Sequence, residues 1–278
     1  MVRRIAQAAL AALAISVGAA QSAAACGVDV PCVVAEGEYL IRLPPNAETR
    51  TGYGAIVYFH GHRGSAAGVM RNGALAREAS DLGVALIAPH GRDNSWSFPG
   101  APRQKRDEMA FVDHVLSDAL ARFPIDPERI MASGFSAGGS VVWSLACRTP
   151  DRFAGFAPIA GAFWLPLPDH CRAAVPGRLP HLFHIHGLAD RTVPMAGRPI
   201  GNVAHQGDVY KSVDILLVMA AARPEPSAYV EGMLSCRRWG DGEWGGVELC
   251  LHGGGHSVRA EWVARGWRKL SAAMGWPD

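Results

Sequence analysis

Apolar residues along this chain fall into two rhythms. Short, nearly unbroken runs occur at Ala55–Phe59, Val84–Ala88, Ile130–Ala132, Ala154–Ala160 and His181–Ile185. Runs of that length read as strands buried on both faces. Between them lie helical stripes. Asp107 opens one, with Met109, Val112, Leu116, Leu120 and Phe123 on one side and Pro124 as its stop. A weaker helix is expected to end near Ser80, another to run from Asp208 to about Ala222, and an amphipathic one to close the chain from Arg259 to Met274. Glu38 to Leu43 alternates like a strand before Pro44-Pro45-Asn46. Strands alternating with helices predict an α/β fold, with a mostly parallel central sheet and helices on both faces. No repeat or linker divides residues 26–278, so one domain is expected there.

One segment resists a simple reading. Asp241-Gly242 is a strong two-residue turn signal inside the predicted hairpin Glu231–Leu251. That register would pair Trp239 with Trp244 and set Cys236 opposite Val247, three residues short of Cys250. Either a bulge resets the register, or Cys236 and Cys250 are not bridged.

The N-terminus changes the picture of where the protein works. Arg3 and Arg4 precede an apolar run from Ile5 to about Ala20, and Ala23-Ala24-Ala25 offers a cleavage site before Cys26. Residues 1–25 therefore read as a secretory signal peptide rather than a membrane span, and predict a secreted protein, extracellular or periplasmic. A lipoprotein signal is the rival, although Ala23 stands where leucine is usual. The formal net charge of +2 resides in Arg3 and Arg4, so the exported part is neutral, which argues against a nucleic-acid partner. All six cysteines lie at or after Cys26. An even count in an oxidising compartment suggests three disulfides, and neighbouring residues give Cys26–Cys32, Cys147–Cys171 and Cys236–Cys250. Buried free thiols are the alternative.

The chemistry centres on Gly134-Phe135-Ser136-Ala137-Gly138-Gly139. Gly-x-Ser-x-Gly alone is weak in a chain with 32 glycines. Here, however, a strand precedes it and a helix follows, the order that holds a serine on a tight, exposed turn as a nucleophile. Such a serine needs a base, and the base needs a carboxylate. In parallel sheets both come from the carboxyl ends of strands, in the chain order serine, acid, histidine. Asp190, in the loop His186-Gly187-Leu188-Ala189-Asp190, and His256, after Gly253-Gly254-Gly255, fit that order. His252 is the weaker candidate because it ends a strand. The backbone amides of Ala137 and His62, the latter in the loop His60-Gly61-His62-Arg63-Gly64-Ser65, are the expected oxyanion donors.

Trp96, Phe98 and Trp164 fall on predicted loops, where they could line a substrate groove or simply join the core. His181, His184 and His186 crowd one strand, but neither H-E-x-x-H nor C-x-x-C accompanies them, so no metal is expected. No dinucleotide or Walker signature marks a cofactor.

The motif around Ser136, the run His184-Ile185-His186-Gly187 through Asp190, and Gly253-Gly254-Gly255-His256 together resemble the secreted polyhydroxybutyrate depolymerase and feruloyl or acetylxylan esterase group. The likeness runs from about Cys26 to the end and takes in Phe123-Pro124-Ile125-Asp126-Pro127. It implies an α/β-hydrolase fold, no cofactor, and a Ser–Asp–His triad at Ser136, Asp190 and His256. The chain departs from the group in carrying Ser257-Val258 after the histidine, where tryptophan and proline are common. It departs again at His62-Arg63, where glycine or cysteine is common. The expectation is a monomeric serine esterase, polyhydroxybutyrate depolymerase-like or, alternatively, feruloyl or acetylxylan esterase-like, acting on a small or polymeric ester. A serine peptidase and a non-catalytic binding protein are the remaining rivals. The first commonly carries an added domain, and the second would normally have lost a triad member.

Overall fold

The computed structural model describes residues 26–168, 179–221, 225–242 and 245–276. The expected signal peptide, Cys171 and Trp244, the expected partner of Trp239, lie outside them. In chain order, β1 (Cys32–Val34) and β2 (Gly37–Arg42) form a hairpin and β3 (Tyr53–Phe59) follows. Then come α1 (Ala66–Arg71), α2 (Gly73–Asp81), β4 (Ala85–Pro89), α3 (Glu108–Arg122), β5 (Ile125–Phe135) and α4 (Ala137–Arg148). The second half holds β6 (Gly155–Ile159), β7 (His181–Gly187), β8 (Arg198–Ile200), β9 (Ala204–Gln206) and α5 (Val209–Met219). It closes with β10 (Ser227–Glu231), β11 (Leu234–Gly242), β12 (Gly245–His252) and α6 (Ala260–Met274).

Ten strands form one sheet in the order β1-β2-β4-β3-β5-β6-β7-β12-β11-β10. The central strands from β4 to β12 run parallel, while antiparallel hairpins cap both edges. Every residue of β3 is buried, as its unbroken apolar run requires. Alternation then divides it between two cores. Ala55, Val57 and Phe59 face α3, α4 and α5, and Ile56 and Tyr58 face α1, α2 and α6. The apolar stripe on α3 is rotated from the expected one. Phe111, Val112, Val115, Leu116 and Ala119 are buried, whereas Met109, Leu120 and Phe123 lie at its margins.

Chain order reverses at β3: it passes from β3 out to β4, then returns to β5 on the other side. In open α/β sheets that reversal leaves a crevice at the carboxyl ends of the strands. The loop after β3 and the turn after β5 meet there, with Phe59 paired to Gly134.

The hairpin conflict resolves through a bulge. Cys236 pairs with Cys250 and Trp239 with Val247, then the register shifts so that Gly242 pairs with Gly245. Asp241 and Gly242 therefore belong to β11 and are not the two-residue turn. The two cysteines are bridged, as are Cys26 and Cys32. The expected Cys147–Cys171 bridge lies partly outside the described residues. Among the described residues no helix is long and apolar enough to cross a membrane.

Candidate active site

The turn after β5 is built for close approach. Ser136 sits at φ 59°, ψ −120°, a region most side chains avoid and one that stores strain. Its amide donates to the Ile159 carbonyl at 2.9 Å, which fixes the turn against β6. A side chain on Gly138 would collide with the Phe59 carbonyl, and a Cβ on Gly134 would stand 2.6 Å from the Gly138 carbonyl. Both positions must be glycine for β3, β5 and α4 to converge behind the serine.

Asp190 and His256 come from neighbouring strand exits, after β7 and β12. The Asp190 carboxylate is buried. Its Oδ1 accepts the amides of Thr192 and Val193, each at 2.8 Å, and its Oδ2 accepts from His256 Nδ1 at 2.7 Å. Burial alone would raise the Asp190 pKa, but the bonds from His256, Val193 and Thr192 outweigh it and hold the carboxyl below its ordinary value. With Nδ1 donating, the neutral His256 ring presents Nε2 as an acceptor 2.9 Å from Ser136 Oγ. Phe135 stacks on the imidazole at 4.7 Å between centroids. His252, the weaker candidate base, is buried instead. It accepts the Gly254 amide at 3.0 Å and packs on Trp262, shaping the loop that carries His256.

The loop after β3 lies against the serine, since a Cβ on Gly61 would stand 3.5 Å from Ser136 Cβ. Among the described residues neither the His62 nor the Ala137 amide donates an internal hydrogen bond. The His62 side chain is exposed, its Nδ1 3.1 Å from Ser95 Oγ. Behind the loop, His60 is clamped. Nδ1 donates to the Gly61 carbonyl at 2.8 Å and Nε2 accepts the Gly91 amide at 3.0 Å. Burial lowers this imidazole to about 4, with the charges of His90 and Arg106 adding to the effect against the Gly61 bond. Sequence reasoning missed His60. The polar residue directly after the apolar β3 was the available signal.

Trp96, Phe98 and Trp164, left between groove and core by the sequence, are all buried. Trp96 and Phe98 are each 3% exposed. Trp96 donates to the His60 carbonyl at 2.7 Å and packs edge-on against Phe59, so it supports the loop from beneath. Phe98 meets Trp164, whose indole donates to Ser140 Oγ at 3.2 Å. Trp164 borders a cavity of about 890 Å³ beside Ser144, Pro166 and Leu167, but Ser136, Asp190 and His256 do not border it. These aromatics lie on loops, yet their packing partners are distant in sequence, which periodicity cannot reveal. Cys236, Glu248 and Cys250 are close enough to suggest a metal site among the described residues. Their closeness comes from the bridge joining the two sulfurs, which leaves no thiolate to bind an ion.

The chain is similar to known proteins over much of its length. Residues 36–223 match the family described as "Putative esterase". A protein named "Putative esterase NocK" from Nocardia uniformis is 34% identical over 142 residues, which cover 50% of this chain and 40% of that one. "Probable feruloyl esterase C" of Aspergillus clavatus is 26% identical over 166 residues, covering 58% and 57%. The matches thus span about half the length of these curated relatives. An acetyl xylan esterase structure from Aspergillus awamori superposes with a TM-score of 0.63 at 14% identity, over 84% of this chain and 94% of that one, and it shares the α/β-hydrolase fold.

Proposed function

Because the chain belongs to the family described as "Putative esterase" and has the α/β-hydrolase fold, we propose that it is a carboxylic ester hydrolase, working as a serine esterase through Ser136, His256 and Asp190. One observation carries this reading: an unbroken hydrogen-bonded line from Ser136 Oγ through His256 to Asp190, with contacts of 2.9 and 2.7 Å. In this reading Ser136 Oγ attacks the ester carbonyl carbon while His256 Nε2 takes its proton. Asp190 holds the ring in the tautomer that can do so and stabilises the imidazolium. The Ala137 and His62 amides receive the oxyanion. Collapse expels the alcohol, which takes the proton back from His256. A water, deprotonated by the same nitrogen, then attacks the acyl-enzyme and releases the acid.

For the substrate, we propose an ester of hydroxybutyrate type, with a feruloyl or acetyl ester of cell-wall polysaccharide as the second reading. The name of the Aspergillus clavatus relative favours the second. Burial of Trp96 and Phe98 removes the aromatic groove that would have favoured a feruloyl group. Residues 1–25 are proposed to be an export signal, a reading supported by the Cys26–Cys32 and Cys236–Cys250 disulfides.

The test has two parts. A fluorophosphonate should label Ser136, and Ser136→Ala should lower kcat by several orders of magnitude while the fold persists. Labelling of Ser133 or Ser140 instead would refute the assignment. The exported form should then be assayed side by side on p-nitrophenyl butyrate, hydroxybutyrate oligomers, methyl ferulate and acetylated xylan. A kcat/KM highest on the oligomers is expected, and a preference for ferulate or xylan would move the protein to the second reading.

A further inference from the structure

Of the three histidines on β7, His184 and His186 have no solvent exposure. His184 Nδ1 lies 2.9 Å from the Pro158 carbonyl oxygen. His184 Nε2 lies 3.0 Å from His186 Nδ1, and His186 Nε2 lies 2.7 Å from the Val193 carbonyl oxygen. Carbonyl oxygens only accept, so each outer nitrogen must carry a hydrogen. The inner contact is a hydrogen bond only if one inner nitrogen also carries one. Two neutral imidazoles hold two N–H groups, and the carbonyls use both. Two lone pairs would then face each other at 3.0 Å. The line of contacts needs three hydrogens on four nitrogens, one more than two neutral rings supply.

We propose that His184 and His186 share one extra proton, forming a buried imidazolium–imidazole pair that acts as a second counter-charge to Asp190. His186 Nε2 lies 3.6 Å from Asp190 Oδ2. Val193 couples them further: its carbonyl accepts from His186 while its amide donates to Asp190 Oδ1. The Trp143 ring packs at a steep angle to the His184 ring, 5.3 Å between centroids. The titratable groups facing the pair are Asp190, His256 and His252, and Asp190 is the anion among them. Burial pushes both imidazoles down, countered at His186 by the Val193 carbonyl and Asp190. The contact geometry calls for one proton beyond two neutral rings, and mutual repulsion excludes a second, so that proton belongs to the pair rather than to either ring.

The consequence rests on the triad reading above. A positive charge behind Asp190 competes with His256 for the carboxylate and disfavours a second positive charge on the base. His184 and His186 are therefore positioning residues that act through Asp190, keeping His256 ready to accept a proton at lower pH.

The direct test is NMR of the wild-type protein at pH 7 with its histidine rings labelled with ¹⁵N. Three of the four ring nitrogens of His184 and His186 should be protonated, with one far-downfield proton correlated to both rings. Finding two protonated nitrogens overturns the proposal. This readout needs no turnover, so it stands apart from any failure of the triad assignment. The functional arm uses His184→Asn, which can still donate to the Pro158 carbonyl but leaves His186 neutral. Its acid limb in kcat/KM on a soluble ester should move up by about half a pH unit or more, with kcat above that limb little changed. A uniform loss at every pH, with the limb unmoved, would sink the link to Asp190.

Discussion

Asp190 uses both oxygens fully, two amides on one and the His256 ring on the other. An asparagine could still accept the Thr192 and Val193 amides, but its NH₂ would face His256 Nδ1 and force the wrong tautomer. Asp190→Asn should therefore cost about 10⁴-fold in kcat with little change in the urea midpoint. His256→Ala should be equally damaging, whereas His252→Ala removes only a buried brace of the Gly254 amide and should leave most of the activity. If His252→Ala were the dead variant on a soluble ester and His256→Ala the active one, the base would have been named wrongly. At this scale, chain order and loop glycines sufficed to name three side chains that the structure joins by hydrogen bonds. His60, which braces the loop after β3, and His186, which lies beside Asp190, were not assigned roles because a backbone carbonyl partner leaves no mark in sequence.

Strands and helices were legible where apolar rhythm was strong, as at β3 and α6, and blurred where side chains alone had to set register. The β11–β12 hairpin shows why: its bulge lies between Trp239 and Gly242, and the turn dipeptide upstream pointed to another pairing. The same hairpin is tied to α6 by a buried cluster. Arg265 donates to Glu248 at 2.7 Å and to Glu231 at 2.8 and 3.0 Å, with Tyr229 and Glu248 bonded beside it. Burial is offset by those carboxylates, so the guanidinium stays charged. β12 and α6 flank the loop that carries His256, so this cluster holds the frame of the base. Arg265→Met should cost roughly 3–5 kcal/mol in urea unfolding, because Glu248 is left charged and buried. The double variant Arg265→Met, Glu248→Gln should recover much of that loss. If the double variant is no more stable than the single, the cost comes from lost packing and not from an uncompensated charge.

Over the whole molecule, the reversal of strand order at β3 brings the loops after β3 and β5 together, and the exits of β7 and β12 lie farther along the same end of the sheet. The parallel sheet was readable from alternating strands and helices. Its antiparallel edges were less so, because β1 is only three residues long and β10 is mostly exposed, so neither carries a clear rhythm. This architecture buries histidines beneath the catalytic edge, and that sets how the fold responds to acid. His60 takes its proton near 6.5 in the unfolded chain but only at about 4 in the folded one. Between those values the unfolded chain binds more protons. Stability is therefore complete above about pH 6.5 and falls as pH drops toward 4, by on the order of 3 kcal/mol from this residue. His252, also lowered by burial and by Arg259, adds to the fall in the same direction. Asp190 and Glu231, both held low, contribute only at lower pH, as their carboxylates take up protons. His60→Gln removes the titration while its side-chain oxygen can still accept the Gly91 amide. Urea midpoints measured at pH 7, 5.5 and 4.5 should fall steeply for the wild type and more gently for this variant. Parallel declines in the two proteins would mean that His60 is not held neutral by the fold.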